Sequence, residues 1–232
     1  MKKEISIEKG SMMKVAVILC GSGYKDGSEI RESVLTLLAL DQEQIQYQCF
    51  SPINNQTDVV NCLTGQVMHE ESRQMIVEAA RIARGNVLPL SDLKEENYDA
   101  LVIPGGFGVA KNLCNFASAG SASIVHSEVE AVLKSFHQAQ KFIGAICIAP
   151  VLLALTFKTI KIKITLGASS GAVSEIEKLG HLHEECRASD IVVDEVNKFV
   201  TTPAYMYDDA SLSDIFKGIS LLVKKLSDSH DT

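Results

Sequence analysis

Phe142-Ile143-Gly144-Ala145-Ile146-Cys147-Ile148-Ala149-Pro150 is the stretch on which the reading of this chain turns. An apolar, strand-like run stops at a cysteine, and a second apolar run with a helical pattern follows over residues 151–157. The residues two before and two after the cysteine, Ala145 and Ala149, are both small. A sharp strand-to-helix turn crowds those two positions, so a nucleophile elbow favours small side chains there. Such a turn lifts the Cys147 thiol out of a sheet and sets it at a helix N-terminus. Free N–H groups and the helix dipole there favour the reactive thiolate. The same stretch also reads as a buried cysteine in an apolar strand, because free cysteine is among the most buried residue types.

Outward from the elbow, apolar strand-like runs alternate with helical patterns. Residues 14–20 are rich in β-branched residues and end in Gly21-Ser22-Gly23, which reads as a buried parallel strand and its turn. Asp26 or Ser28 is placed to cap a helix reaching about Leu40, with Ile30, Val34, Leu37 and Leu38 on one face. Further strands are expected at 47–50, 100–103, 142–146, 162–166, 191–194 and 199–201. Helices are expected at 69–84, 111–116, 128–138, 173–179 and 211–226, with a polar loop at 54–64. This alternation implies an α/β fold: a mostly parallel sheet with helices on both faces. Ligands in such folds bind beyond the carboxyl ends of the strands. Gly21-Ser22-Gly23, Pro104-Gly105-Gly106 and Cys147 all follow strand ends, so one edge is expected to gather them.

The chain has 232 residues, 46% of them hydrophobic, which fits one large domain over residues 13–228. Residues 1–12 read as a native extension or a tag remnant; they lack the apolar core of a secretory signal. With 22 basic and 29 acidic residues the net charge is −7, and no basic stripe points to nucleic acid. The most apolar run, 142–157, is broken by Pro150 and is short for a membrane span. The six cysteines contain no C-x-x-C pair, so reduced thiols in a cytoplasmic setting are expected.

Three further segments carry candidate chemistry. Pro104-Gly105-Gly106-Phe107-Gly108 follows a strand, and glycine lets backbone N–H groups approach a ligand. The Gly106 and Ile148 N–H groups are therefore candidate oxyanion donors facing Cys147, with a plain strand-to-helix turn as the alternative. Glu29 reads as an acid favourably set in a first helical turn, or as a carboxyl aimed into the cleft to move a proton. Gly21-Ser22-Gly23 lacks the third glycine and the lysine of a phosphate loop, which argues against nucleotide binding. His181-Leu182-His183-Glu184-Glu185-Cys186 has no familiar zinc spacing and reads as a solvated loop. His126 and His137 read as surface positions, and Cys20 as core. The segment 201–205 either borders the site or only turns the chain into the last helix.

Gly27-Ser28-Glu29-Ile30, Val102-Ile103-Pro104-Gly105-Gly106-Phe107-Gly108 and Ala145-Ile146-Cys147-Ile148-Ala149-Pro150 together resemble the ThiJ/PfpI superfamily, related to class I glutamine amidotransferases. Ala110-Lys111-Asn112-Leu113, Asp190-Ile191-Val192-Val193-Asp194 and Thr201-Thr202-Pro203-Ala204-Tyr205-Met206 extend the resemblance to the ElbB type, the isoprenoid-biosynthesis-associated, amidotransferase-like proteins. The resemblance implies a flavodoxin-like three-layer sandwich, with Cys147 as reactive thiol, Glu29 as its carboxyl partner, and Gly106 and Ile148 as oxyanion donors. It implies glyoxalase-type conversion of a small 2-oxoaldehyde (glyoxal or methylglyoxal) to the 2-hydroxy acid, without cofactor or metal, in a homodimer. A deglycase-like reaction uses the same chemistry. A redox-sensing or accessory protein with the same thiol is the alternative. The chain departs from the amidotransferase pattern at Ala149, where those enzymes carry glycine, and at 166–171, which holds no histidine. A Cys-His-Glu triad and glutamine hydrolysis are accordingly not expected.

Overall fold

The computed structural model describes residues 12–230, so the expected extension lies, apart from Met12, outside the described residues. The strands are β1 (Lys14–Ile18), β2 (Gln46–Ser51), β3 (Val87–Pro89), β4 (Ala100–Ile103), β5 (Phe142–Ile146), β6 (Lys163–Ile164), β7 (Leu182–His183), β8 (Val192–Asp194) and β9 (Phe199–Thr202). Seven of them form one sheet in the order β3-β2-β1-β4-β5-β9-β8, and β6 pairs with β7 separately. Every pairing in the main sheet is parallel except β8 with β9.

The unbroken apolar runs have a direct cause. On β1, Ala16 and Ile18 enter one core while Val15 and Val17 enter the other. On β4, Leu101 and Ile103 face the first core and Ala100 and Val102 the second. A strand buried on both faces has no place for alternating polar residues. Helices α1 (Ile30–Gln42) and α7 (Leu212–His230) pack together and, with β5 and β9, enclose one core. Helices α4 (Ser127–Gln138) and α5 (Pro150–Thr156) fill the other. The flanking helices are α2 (Met75–Ile82), α3 (Phe116–Ala119) and α6 (Gly171–Lys178). This is the flavodoxin-like α/β architecture. The chain leaves β1 for β2 on one side and later enters β4 on the other, so the strand order reverses at the β1–β4 crevice. Ligand sites form at such a switch point.

Several local expectations change. The helix expected from residue 69 begins only at Met75; residues 54–74 instead make an excursion pinned by the bridges Asn55↔Gln74 and Val60↔Val67. Strand β3 carries no strand signal in the sequence, because it has three residues and ends in a proline. The helix expected at 111–116 is a π-helical turn, Val109–Leu113, followed by α3. The 181–186 segment is not a solvated loop throughout: His181 is buried, its Nε2 lies 2.9 Å from the Ala154 carbonyl, and Leu182–His183 form β7. No cluster of three metal-capable side chains occurs among the described residues.

Helix α1 departs from its expected orientation: of the face expected to be apolar and inward, only Leu37 packs against the core. Ile30, Val34 and Leu38 are 48%, 47% and 41% exposed, while Glu32, Ser33, Thr36, Ala39 and Leu40 are buried. The polar side turns inward because its groups are satisfied there. The Ser33 and Thr36 hydroxyls donate to the Glu29 and Glu32 carbonyls at 2.6 and 2.7 Å. The cap is neither Asp26 nor Ser28. Glu29 caps the helix, accepting from the Glu32 N–H at 2.6 Å. Asp26 reaches the Val60 N–H at 2.8 Å, and the Ser28 hydroxyl accepts from the Cys20 N–H at 2.9 Å.

Candidate active site

Strand β5 ends at Ile146 and α5 begins at Pro150, so the three residues between them make the elbow. Cys147 takes φ of 61°, a left-handed conformation that non-glycine residues rarely adopt. Its N–H donates to the Thr202 carbonyl at 2.9 Å, which ties the turn to β9. Ala145 and Ala149 are completely buried on either side, as the crowding argument requires. Strain of this kind survives only where the surroundings enforce it, and it gathers at functional sites. Cys147 is 7% exposed and lines a cavity of about 1070 Å³.

The carboxyl that meets this thiol is Glu32, not Glu29. The Glu32 side chain hydrogen-bonds Cys147 and accepts from the Gly105 N–H (3.0 Å, to Oε2) and the Tyr205 N–H (3.2 Å, to Oε1). Glu29 lines the same cavity but spends one oxygen on the Glu32 N–H as helix cap. No local signal separates the two acids: the cap N–H of Glu29 is taken by the Gly105 carbonyl rather than by Glu32, so this is not a capping box, and only the docking of α1 decides which carboxyl meets the thiol. The segment 201–205 does border the site. Ala204, at φ of 45°, turns the chain so that the Tyr205 N–H faces Glu32, while the Tyr205 hydroxyl accepts from Arg31 Nη1 at 3.1 Å.

The glycine loop closes the other side. The Glu29 N–H donates to the Gly105 carbonyl at 2.8 Å, and the Phe107 N–H to the Tyr24 carbonyl at 2.8 Å. This stitches the loop to the turn after β1. A side chain at Gly105 would overlap the Cys147 Cβ and come within 2.5 Å of Glu32 Oε2. Gly106 has φ of 105°, and its N–H, like that of Ile148, hydrogen-bonds the Cys147 sulfur. The two expected oxyanion donors therefore converge on the thiol.

Electrostatics correct one expectation. Burial pushes the Cys147 thiol well above its ordinary value, and charge on Glu32 adds to this. The Gly106 and Ile148 N–H groups pull the other way but do not offset desolvation. Burial, followed by charge on Glu29, pushes Glu32 up to about 8. Glu32 therefore holds its proton at neutral pH and releases it near pH 8, ahead of the Cys147 thiol. Burial raises Glu29 as well.

The cavity lining contains no histidine among the described residues. His126 and His137 lie away from it; the His137 ring packs 4.6 Å from Phe157. Cys20 is buried core, its thiol pushed up to about 12 by burial. Cys62, from the 54–74 excursion, is exposed and lines the cavity, a placement that no local sequence feature announces.

A flavodoxin-like sheet with a strained elbow cysteine, a buried glutamate against it and two N–H groups aimed at the sulfur defines an amidotransferase-like thiol protein. The DJ-1/PfpI family matches residues 17–202, and the chain belongs to that family. It is 41% identical over 222 residues to the human "Glutamine amidotransferase-like class 1 domain-containing protein 3, mitochondrial", covering 92% of this chain and 82% of that protein. It is 40% identical to the "ES1 protein homolog, mitochondrial" of Rattus norvegicus, with the same coverage. Among solved structures, it is similar to an isoprenoid biosynthesis protein with amidotransferase-like domain from Ehrlichia chaffeensis. That likeness has a TM-score of 0.88 and 38% identity, covering 95% of this chain and all of that one.

Proposed function

We propose that the protein is a cofactor-independent, glyoxalase-type enzyme that converts a 2-oxoaldehyde to the 2-hydroxy acid. The observation that carries this reading is the hydrogen-bonded pair of Cys147 and Glu32 beneath two converging N–H groups. The Cys147 sulfur adds to the aldehyde carbon while its proton passes to the Glu32 carboxylate. The Gly106 and Ile148 N–H groups hold the oxygen that becomes negative. Glu32 returns its proton to that oxygen, completing the hemithioacetal. It then takes the proton from the former aldehyde carbon and delivers it to the neighbouring carbon by way of an enediol, while the hydroxyl proton on the former aldehyde oxygen passes to the neighbouring oxygen. The product is a thioester of the 2-hydroxy acid. Water cleaves it, releasing the acid and restoring the thiol, so the sum is oxoaldehyde plus water. Glu29, given the proton-moving role on sequence grounds, is assigned instead to seating Glu32 through its N–H.

The redox-sensor alternative uses the same thiol, and it is separated from catalysis by turnover number and by whether a low peroxide dose oxidises Cys147 selectively. The ElbB-type assignment and a homodimer are part of the proposal. The exposed Ile30, Val34 and Leu38 stripe supports a second copy seated on α1. The free cysteines suit a reducing compartment, cytoplasmic or the mitochondrial setting in the relatives' names. No described helix is long and apolar enough to cross a membrane.

The test is NMR of glyoxal and methylglyoxal with catalytic amounts of wild type, Cys147→Ser and Glu32→Gln. Many turnovers to glycolate and lactate by wild type, and none by either variant, support the assignment. Stoichiometric consumption, or turnover that survives Cys147→Ser, rejects it.

A further inference from the structure

The cavity above Cys147 is out of proportion to a two- or three-carbon substrate. Its volume is about 1070 Å³. Glyoxal has four heavy atoms and displaces on the order of 100 Å³, taking about 30 Å³ per water as a yardstick. Cavities of this size ordinarily hold ligands the size of drugs. The walls are apolar and come from separate elements: Tyr24, Ile30, Phe107, Phe116, Ile148 and Met206. Tyr24 and Phe107 are 43% and 55% exposed, a cost in open solvent that a bound apolar group removes. Room is made by small residues on the far side, Ala117 next to Phe116 and Gly171 and Ala172 at the start of α6.

The charges along the same walls argue against an anionic ligand. Glu29, Glu175 and Asp208 line the cavity against Arg31 alone, and Arg31 is held by the Tyr205 hydroxyl. Glu175 is ionised, held down at about 2 by its hydrogen bond with Lys178. That ion pair at 2.5 Å cancels most of its field, so the case against an anion rests on Arg31 being the single cation among the described residues of the lining.

We infer that the preferred substrate is a 2-oxoaldehyde carrying an extended, uncharged apolar arm, aliphatic or aryl, which lies between Phe107 and the start of α6 while its aldehyde meets Cys147. This rests on the glyoxalase reading and names the substrate class of that same site. The small oxoaldehydes are then the minimal reacting fragment, turned over without the binding that the walls supply.

Two measurements test this. In the first, kcat/KM is determined along a straight-chain series from methylglyoxal to a nine-carbon 2-oxoaldehyde, with phenylglyoxal as the aryl member. Each buried methylene is expected to raise kcat/KM about fourfold until the cavity is filled, while an ω-carboxylate analogue of equal length loses the gain. Ala172→Phe, which fills the arm's end of the cavity, is expected to flatten the series by tenfold or more at its long end relative to methylglyoxal. In the second, 2-octanone or acetone is added during alkylation of Cys147 by iodoacetamide, followed by mass spectrometry. Protection by 2-octanone alone is expected, and it needs no turnover. A flat series with methylglyoxal well turned over overturns the inference and leaves the glyoxalase reading intact. Protection by 2-octanone without turnover of any member rejects the glyoxalase reading and retains the apolar site. Equal protection by both ketones overturns the inference.

Discussion

Glu32 is a carboxyl held in a place that penalises its charge. Its folded value is about 8, against an ordinary value near 4.5 in the unfolded chain. Between those two values the native state binds a proton that the unfolded state has released, so stability falls as pH rises. The contribution is fully present below about 4.5 and lost once pH passes about 8. Glu32→Gln removes the titrating group. From pH 5 to 8.5, urea unfolding of the wild type is expected to lose a few kcal/mol relative to the variant; parallel curves would contradict the burial argument. The same proton governs chemistry, because only the ionised carboxyl accepts a proton from the Cys147 thiol. The kcat/KM for methylglyoxal is expected to climb with pH to a plateau above about 8. Gly105 is the neighbour on which both groups depend. Gly105→Ala puts a methyl group on Cys147 and Glu32 Oε2. Its expected effect is a loss of at least a hundredfold in turnover, at a destabilisation of about 1–3 kcal/mol. A fully active Gly105→Ala protein would show that the pair tolerates displacement.

At the scale of elements, α1 and α5 divide the work. Helix α5 is buried from Pro150 to Leu155, so it anchors the elbow from below. Leu152→Ala there is expected to cost about 2–5 kcal/mol by chemical unfolding, as for large-to-small changes in a closed core. Helix α1 turns its polar side inward to deliver Glu32, which leaves Ile30, Val34 and Leu38 outside. If a second copy covers that stripe, Val34→Asp is expected to shift sedimentation from dimer to monomer. Unchanged sedimentation would place any dimer contact elsewhere. The Ile30 end of the stripe also lines the cavity, so the two surfaces meet at one residue.

For the molecule as a whole, the six thiols divide by burial. Cys62 is exposed, Cys186 half-buried, and Cys20, Cys49, Cys114 and Cys147 are buried. Burial pushes Cys49 and Cys114 up to about 12 and 11. Native labelling with a thiol reagent is therefore expected to show Cys62 reacting first, Cys186 and Cys147 (the latter lining the cavity) more slowly, and Cys20, Cys49 and Cys114 only on unfolding. Peptide mapping after a low peroxide dose checks the same ranking. Selective oxidation of Cys147 would favour the sensor reading.

Much of the framework was legible in the chain. Runs such as Val15-Ala16-Val17-Ile18 and Ala100-Leu101-Val102-Ile103 announce strands buried on both faces, because only uninterrupted apolar sequence tolerates that environment. The elbow was legible because its small neighbours are a local steric requirement, and so was the placement of the glycines after Pro104 beside it. What the sequence did not contain was the partner of the thiol. Glu29 and Glu32 are both acids in one helical turn, and their local propensities do not separate them. Only the docking of α1 against the sheet decides which carboxyl enters the crevice. The N–H groups that receive it come from Gly105 and Tyr205, 73 and 173 residues along the chain. The exposed apolar side of α1, the buried His181 and the raised thiol of Cys147 have the same origin. Each depends on what packs against a residue across the fold, whereas a pattern along the chain reports only what its near neighbours permit.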